Sequence, residues 1–146
     1  MKRYLIFAAL GPFVGGFLLL FVTTYQSGYW THTDLSEIEK LFVVFAKTLQ
    51  YSYLFGILPT LMIAAVDDIF FHVKRVRPVL RMLLVGAVAF VAAALMYSSR
   101  GPDSGLAQFV LYGLVGFIPA SISSWLAHEA IDFPETPAPE PAVTGK

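Results

Sequence analysis

The sequence has 146 residues, of which 57% are hydrophobic and 14% are charged. Soluble domains carry about 25% charged residues, and a small one lacks the interior to hide so much apolar surface. Ten basic residues balance ten acidic ones, which leaves no net charge to attract nucleic acid, and there is no cysteine. These figures exclude a disordered chain, a disulfide-rich secreted module and a nucleic-acid binder, and they indicate a membrane protein.

Four stretches are long and apolar enough for membrane-spanning helices, which need about 20 mainly apolar residues. The spans predicted are approximately residues 4–25, 36–66, 79–99 and 104–128. The first is too long for a signal-peptide core, so it is interpreted as a retained helix. The sequence therefore predicts an all-α membrane protein whose residues 1–132 form a bundle of four transmembrane helices.

Two of the predicted helices carry recognisable start signals. Asp34 is followed three residues later by Glu37, as in a capping box, so the second helix is predicted to begin at Leu35 outside the membrane. Pro78 predicts the start of the third helix, because proline favours the first helical position. Arg81 follows in the first turn, and we expect its charged end to extend to the membrane surface.

The basic residues predict the orientation. By the positive-inside rule the side richer in lysine and arginine faces the cytoplasm, which places both termini there. Size and layout resemble small multi-pass proteins of the bacterial inner membrane, and this is the predicted location. The richer side carries Lys2, Arg3, Lys74, Arg75, Arg77 and Arg81, and the other side carries Lys40 and Arg100.

A proline-rich tail follows the fourth span. Proline recurs at positions 134, 137, 139 and 141, which prevents a helix and favours an extended chain. Residues 133–146 are therefore predicted to be a disordered cytoplasmic tail.

Small residues at helical spacing predict where the helices pack, because they let two backbones approach closely within a bilayer. These contacts lie either within the chain or against a second copy or another subunit. Three prolines inside the spans predict kinks, and a shared Gly-x-x-Pro pattern in spans two and four hints at a duplicated hairpin. The packing positions are Gly11, Gly15, Gly86, Gly113, Gly116 and Ala120, and the kinks are at Pro12, Pro59 and Pro119.

Lys47 is the one formal charge in the apolar run from Leu41 to Val66 of the second span, whereas the other charges within the predicted bounds lie at span ends. Its stem is long enough to carry the ammonium back to the membrane surface. The alternative is functional, because Gln50 and Tyr51 share its helix face at positions +3 and +4. Together these side chains would line a polar crevice or bond to a partner helix.

Two pairs with helical spacing raise the possibility of a metal site. Asp68 lies four residues before His72, and His128 four residues before Asp132. If both helices continue beyond the membrane, these side chains would suit a divalent metal such as zinc. The alternative, which also covers Asp67, is a set of solvated polar residues at helix ends.

No catalytic motif or cofactor-binding signature is present, so no catalytic residue and no cofactor are predicted. The first hypothesis is a non-enzymatic accessory or scaffold subunit of a larger membrane assembly, or a homo-oligomer, acting through helix–helix contacts. Its partners would be the lipid bilayer and other membrane subunits or a second copy, and not nucleic acid. One alternative is a small transporter or channel protomer using the crevice at Lys47, although no buried carboxylate is expected. Another is a metal-binding membrane protein.

Overall fold

The computed structural model describes residues 2–29, 34–73, 76–97 and 105–130. Within them there is no strand, and all four helices are long and apolar enough to cross a membrane. This confirms the predicted all-α chain with four membrane-length helices, while the predicted tail at 133–146 lies outside the described residues. The helices are α1 (Lys2–Gln26), α2 (Leu35–His72), α3 (Pro78–Tyr97) and α4 (Leu106–Trp125), which continues into a π-helical turn (Leu126–Ala130).

Each helix packs against the next one in the chain, and α4 returns to α1, so the helices form an up-and-down four-helix bundle. The contact between α3 and α4 is the most extensive, and that between α2 and α3 is much smaller. The starts of α1 and α3 meet the ends of α2 and α4. We call this the N-terminal end of the bundle and the opposite one the far end.

Helix α2 is much longer than a bilayer requires. Its 38 residues extend about 57 Å, against a hydrocarbon core of about 30 Å. It begins at the predicted Leu35, whose backbone N–H donates to the Asp34 carboxylate at 2.8 Å. At the other end it continues to His72, beyond the predicted limit of the span at residue 66, because Asp67 and Phe71 are held by contacts with α3 and the π-helical turn.

The predicted small residues lie at contacts between helices of this chain. A Cβ atom added to Gly116 would lie 2.3 Å from the backbone oxygen of Ala89, and one added to Gly113 would meet the ring of Phe90. Gly86 likewise approaches Ser121 in the contact between α3 and α4.

On the other side of the bundle, Gly11 lies against Thr60 of α2, and Ala120 is buried in the core. Gly15 has a looser contact with Pro119 of α4, where the nearest atom to an added Cβ would be 3.8 Å away.

The three predicted kink positions lie inside continuous helices, and the kinks themselves stay a prediction. Pro12 is within α1, Pro59 within α2 and Pro119 within α4. A proline leaves the carbonyl four residues earlier without its helical donor. For Pro119 this is the carbonyl of Val115, which faces the glycine backbone at Gly15.

Candidate functional site

The most prominent site is a buried polar cluster at the N-terminal end of the bundle, centred on Asp67 of α2, which is 2% exposed. The hydroxyl of Ser124 donates to its Oδ1 at 2.6 Å, and Nε2 of His128 contacts its Oδ2 at 2.7 Å. The Nε atom of Arg81 lies 3.6 Å from Oδ1. We call Asp67, Arg81, Ser124 and His128 the polar centre. One carboxylate thus joins α2, α3 and the end of α4.

Local helix geometry delivers each partner to this carboxylate. Arg81 lies in the first turn of α3, where its backbone N–H bonds to the carbonyl of Arg77 at 2.9 Å. Ser124 is in the last turn of α4, and His128, four residues later, lies in the π-helical turn. Residues four apart share a helix face, so both side chains reach Asp67. Single π-helical turns frequently occur at functional sites.

The polar centre compensates its own charges. The side chains of Asp67 and Arg81 are almost completely buried, and their opposite formal charges lie together, as buried charged groups require. The bond between His128 and the carboxylate runs through Nε2 of the imidazole and Oδ2 of Asp67. Within the described residues, Nδ1 of His128 and the hydroxyl of Ser123 are buried without a hydrogen-bond partner.

Phe71 covers the polar centre with its ring. The ring stacks on the imidazole of His128, with 4.4 Å between centroids and an interplanar angle of 23°. The Cζ atoms of Arg81 and Arg3 lie 5.3 Å and 4.2 Å from the centroid of the same ring. Since Arg3 belongs to α1, all four helices contribute to this region.

Two expectations about these residues were wrong. Asp67 was expected to be solvated at a helix end, and Arg81 to extend to the membrane surface, yet they are 2% and 4% exposed. Both side chains can be buried because the positive guanidinium and the negative carboxylate lie together and their charges compensate. No signal of this was present in the sequence, because the spacing of three residues between Ala64 and Asp67 is informative only once the structure shows that Ala64 is buried.

The predicted polar crevice is not enclosed within one chain. Lys47, Gln50 and Tyr51 are all exposed on the outer face of α2. Gly16 of α1 packs against Ser52 of α2. Because the two helices run in opposite directions, Lys47 is level with a point on α1 about 8 Å before the end of that helix. The lysine stem can extend over most of that distance.

The metal-site residues are only partly brought together. His72 lies beside Asp68, with Nδ1 3.8 Å from the carboxylate, and both side chains are open to solvent. His128 contacts Asp67 instead, and Asp132 is outside the described residues. The described part of the chain contains no group of three or more potential metal ligands of the His, Cys, Asp and Glu types. Metal binding stays a prediction.

A second polar cluster lies at the far end. Tyr29, between α1 and α2, donates a hydrogen bond to the carboxylate of Glu37, which also accepts one from Lys40 at 2.7 Å. The hydrogen bond to Glu37 raises the pKa of the exposed Tyr29 above its ordinary value. The basic residue Lys40 is therefore paired here.

Comparison with curated proteins and with solved structures gives no match. The model of a family of unknown function, DUF5413, matches residues 1–133. That match covers all four helices and the polar centre, and the chain accordingly belongs to this family.

Proposed function

We propose that the chain is an accessory or scaffold subunit of a membrane assembly, or a homo-oligomer, and that it acts through the outer face of α2. The observation that carries this proposal is the poor coverage of α2. In an apolar stretch of 18 residues of α2, only 11% is buried inside the chain, whereas 33% of the corresponding stretch is buried in both α3 and α4. Helix α2 therefore offers the largest surface to a neighbouring helix.

The polar residues of this face support the same proposal. Gln50 and Tyr51 are exposed in the far half of α2, where hydrogen bonds to another helix would stabilise their polar groups within a bilayer. Lys47 beside them would reach the membrane surface or bond to the same partner. The glycines, in contrast, are occupied by contacts within the chain.

The proposed setting is the bacterial inner membrane, crossed by all four helices with both termini in the cytoplasm. The described arginines support this orientation, because Arg3, Arg77 and Arg81 lie at the N-terminal end whereas Lys40 lies at the far end. Cytoplasmic connections carry such an excess of basic residues.

Photo-cross-linking in native membranes tests the proposal. A photoreactive residue at Tyr51, which is 55% exposed, is compared with one at Leu95 of α3, which is 66% exposed. We expect a discrete adduct from position 51 and none from position 95. Native mass measurement after mild extraction then distinguishes a second copy, which adds 16.1 kDa, from a different subunit. A lone 16.1 kDa chain without adducts would overturn the proposal.

A transporter or channel protomer is the second candidate, and the burial of Asp67 favours it. Buried carboxylates inside membrane bundles often mark ion pathways. Proton flux into liposomes, measured with a pH-sensitive dye, separates the two candidates. A scaffold gives the flux of protein-free liposomes. Flux through the wild-type protein above that of protein-free liposomes would instead establish transport, and equal flux in Lys47→Ala would remove Lys47 from the pathway.

A further inference from the structure

We propose that Arg3, supported by the ring of Phe71, binds the phosphate group of an anionic phospholipid at the N-terminal end of the bundle. The guanidinium Cζ lies 4.2 Å from the ring centroid, a distance typical of a cation–π contact. The ring is in turn stacked on His128. These contacts place Arg3 against the ring of Phe71 in the absence of a ligand.

The charge balance of the two ends indicates an anionic ligand. Among the described side chains of the far end, the acidic residues Asp34, Glu37 and Glu39 outnumber Lys40 and Lys47. At the N-terminal end the arginines at positions 3, 77 and 81 outnumber Asp67 and Asp68, and Arg81 is paired with Asp67. Among the described residues, neither Arg3 nor Arg77 has an acidic partner. This uncompensated positive charge complements the negative charge of acidic lipid headgroups.

The chemistry of the arginine side chain specifies phosphate. A guanidinium group presents its N–H donors as a planar fork that matches two phosphate oxygens, whereas an ammonium acts as a point charge. The ring of Phe71 contacts the flat face of the guanidinium of Arg3, so the N–H groups at its edge stay available. Among the described residues, these N–H groups form no hydrogen bond to a protein acceptor. A phosphate group would accept these hydrogen bonds.

The surroundings favour a lipid over free phosphate. The ring of Phe71, which the guanidinium of Arg3 contacts, is itself 40% exposed, so an apolar surface lies directly beside the charged group. Apolar side chains beside a phosphate-binding arginine would contact the acyl chains of a bound phospholipid, and such contact adds to affinity in proportion to the buried area. Inorganic phosphate cannot make this contact.

The inference rests on the proposed placement of the chain in a membrane, and reconstitution tests the two separately. The full chain is placed in nanodiscs of equal parts phosphatidylcholine and phosphatidylglycerol, and the lipids retained after mild extraction are counted by native mass spectrometry. We expect phosphatidylglycerol to be enriched, and Arg3→Gln to reduce that enrichment about fivefold, the effect of one basic residue at an anionic surface.

Three further variants make the test specific. Lys40→Gln removes a paired cation at the far end and should leave the enrichment unchanged. Arg3→Lys and Phe71→Leu keep the charge at position 3 but lose the planar fork or its support, so both should show intermediate enrichment, with helicity by circular dichroism as the check on folding. Equal enrichment in Arg3→Gln and wild type, or displacement of the lipid by inorganic phosphate, would overturn the inference. A chain that does not enter nanodiscs at all would instead refute the proposed function.

Discussion

Asp67 and His128, which are 61 residues apart in the sequence, meet at 2.7 Å through a buried hydrogen bond. The bond connects the end of α2 with the π-helical turn after α4, while the other oxygen of the same carboxylate accepts the hydroxyl of Ser124. The small contact between α2 and α3 is supplemented by the approach of Arg81. The polar centre thus holds together the two helical hairpins of the bundle.

Asp67→Ala should strongly destabilise the bundle. The substitution removes the carboxylate that faces the buried guanidinium of Arg81 and that contacts Ser124 and His128, and breaking a buried ion pair in this way costs about 3–5 kcal/mol. Thermal unfolding in detergent, followed by circular dichroism, measures the effect.

The matched control is Asp68→Ala. The neighbouring carboxylate forms only an exposed pair with His72, and such pairs contribute about 0–1 kcal/mol. Equal midpoints for Asp67→Ala and Asp68→Ala would show that the polar centre does not stabilise the bundle.

Two adjacent buried serines should respond differently to substitution by alanine. The hydroxyl of Ser124 bonds to the carboxylate of Asp67, whereas that of Ser123 has no hydrogen-bond partner in the described part of the chain. Ser124→Ala should therefore lower the free energy of unfolding by about 1–2 kcal/mol. Ser123→Ala should be neutral or stabilising. Reversible unfolding in mixed micelles makes the comparison, and a larger loss from Ser123→Ala would contradict it.

The helical class of the fold was predictable because apolar residues recur over membrane-length runs. The start of α2 and that of α3 were also predictable, since the signals at Asp34 and Pro78 are local. The glycines could be placed on packed faces by their spacing. The residue that each glycine meets on a neighbouring helix, such as Ala89 for Gly116, depends on the arrangement of the bundle.

The polar centre was not predicted because it depends on contacts between distant residues. The sequence pairs Asp68 with His72, which are indeed neighbours on α2, but it cannot show that Asp67 faces α4. Ser124 carries no functional signal in the sequence, because its hydroxyl gains a role only beside the carboxylate of Asp67. The π-helical turn that carries His128 has no signature in the sequence.

The ionisation of Tyr29 should depend on Glu37. The hydrogen bond to Glu37 raises the pKa of Tyr29, so its contribution to stability is complete below the unfolded pKa of about 10 and is lost as pH rises through the folded value. Subtracting the absorbance titration of Tyr29→Phe from that of the wild type isolates this phenol. In Glu37→Gln its midpoint should move down toward that of free tyrosine, and an unchanged midpoint would mean that the hydrogen bond is absent in solution.

Gly116→Ala and Gly15→Ala should differ although both glycines lie inside membrane-length helices. At position 116 the new methyl group would lie 2.3 Å from a backbone oxygen of α3, which no side-chain rotation can relieve, whereas at position 15 the nearest atom is 3.8 Å away. Overpacking of this kind costs about 1–3 kcal/mol, and replacing a helical glycine by alanine gains up to about 1 kcal/mol. We therefore expect Gly116→Ala to lower the unfolding midpoint in detergent and Gly15→Ala to maintain or raise it. The opposite order would show that α3 and α4 do not approach as closely as Ala89 and Gly116 indicate.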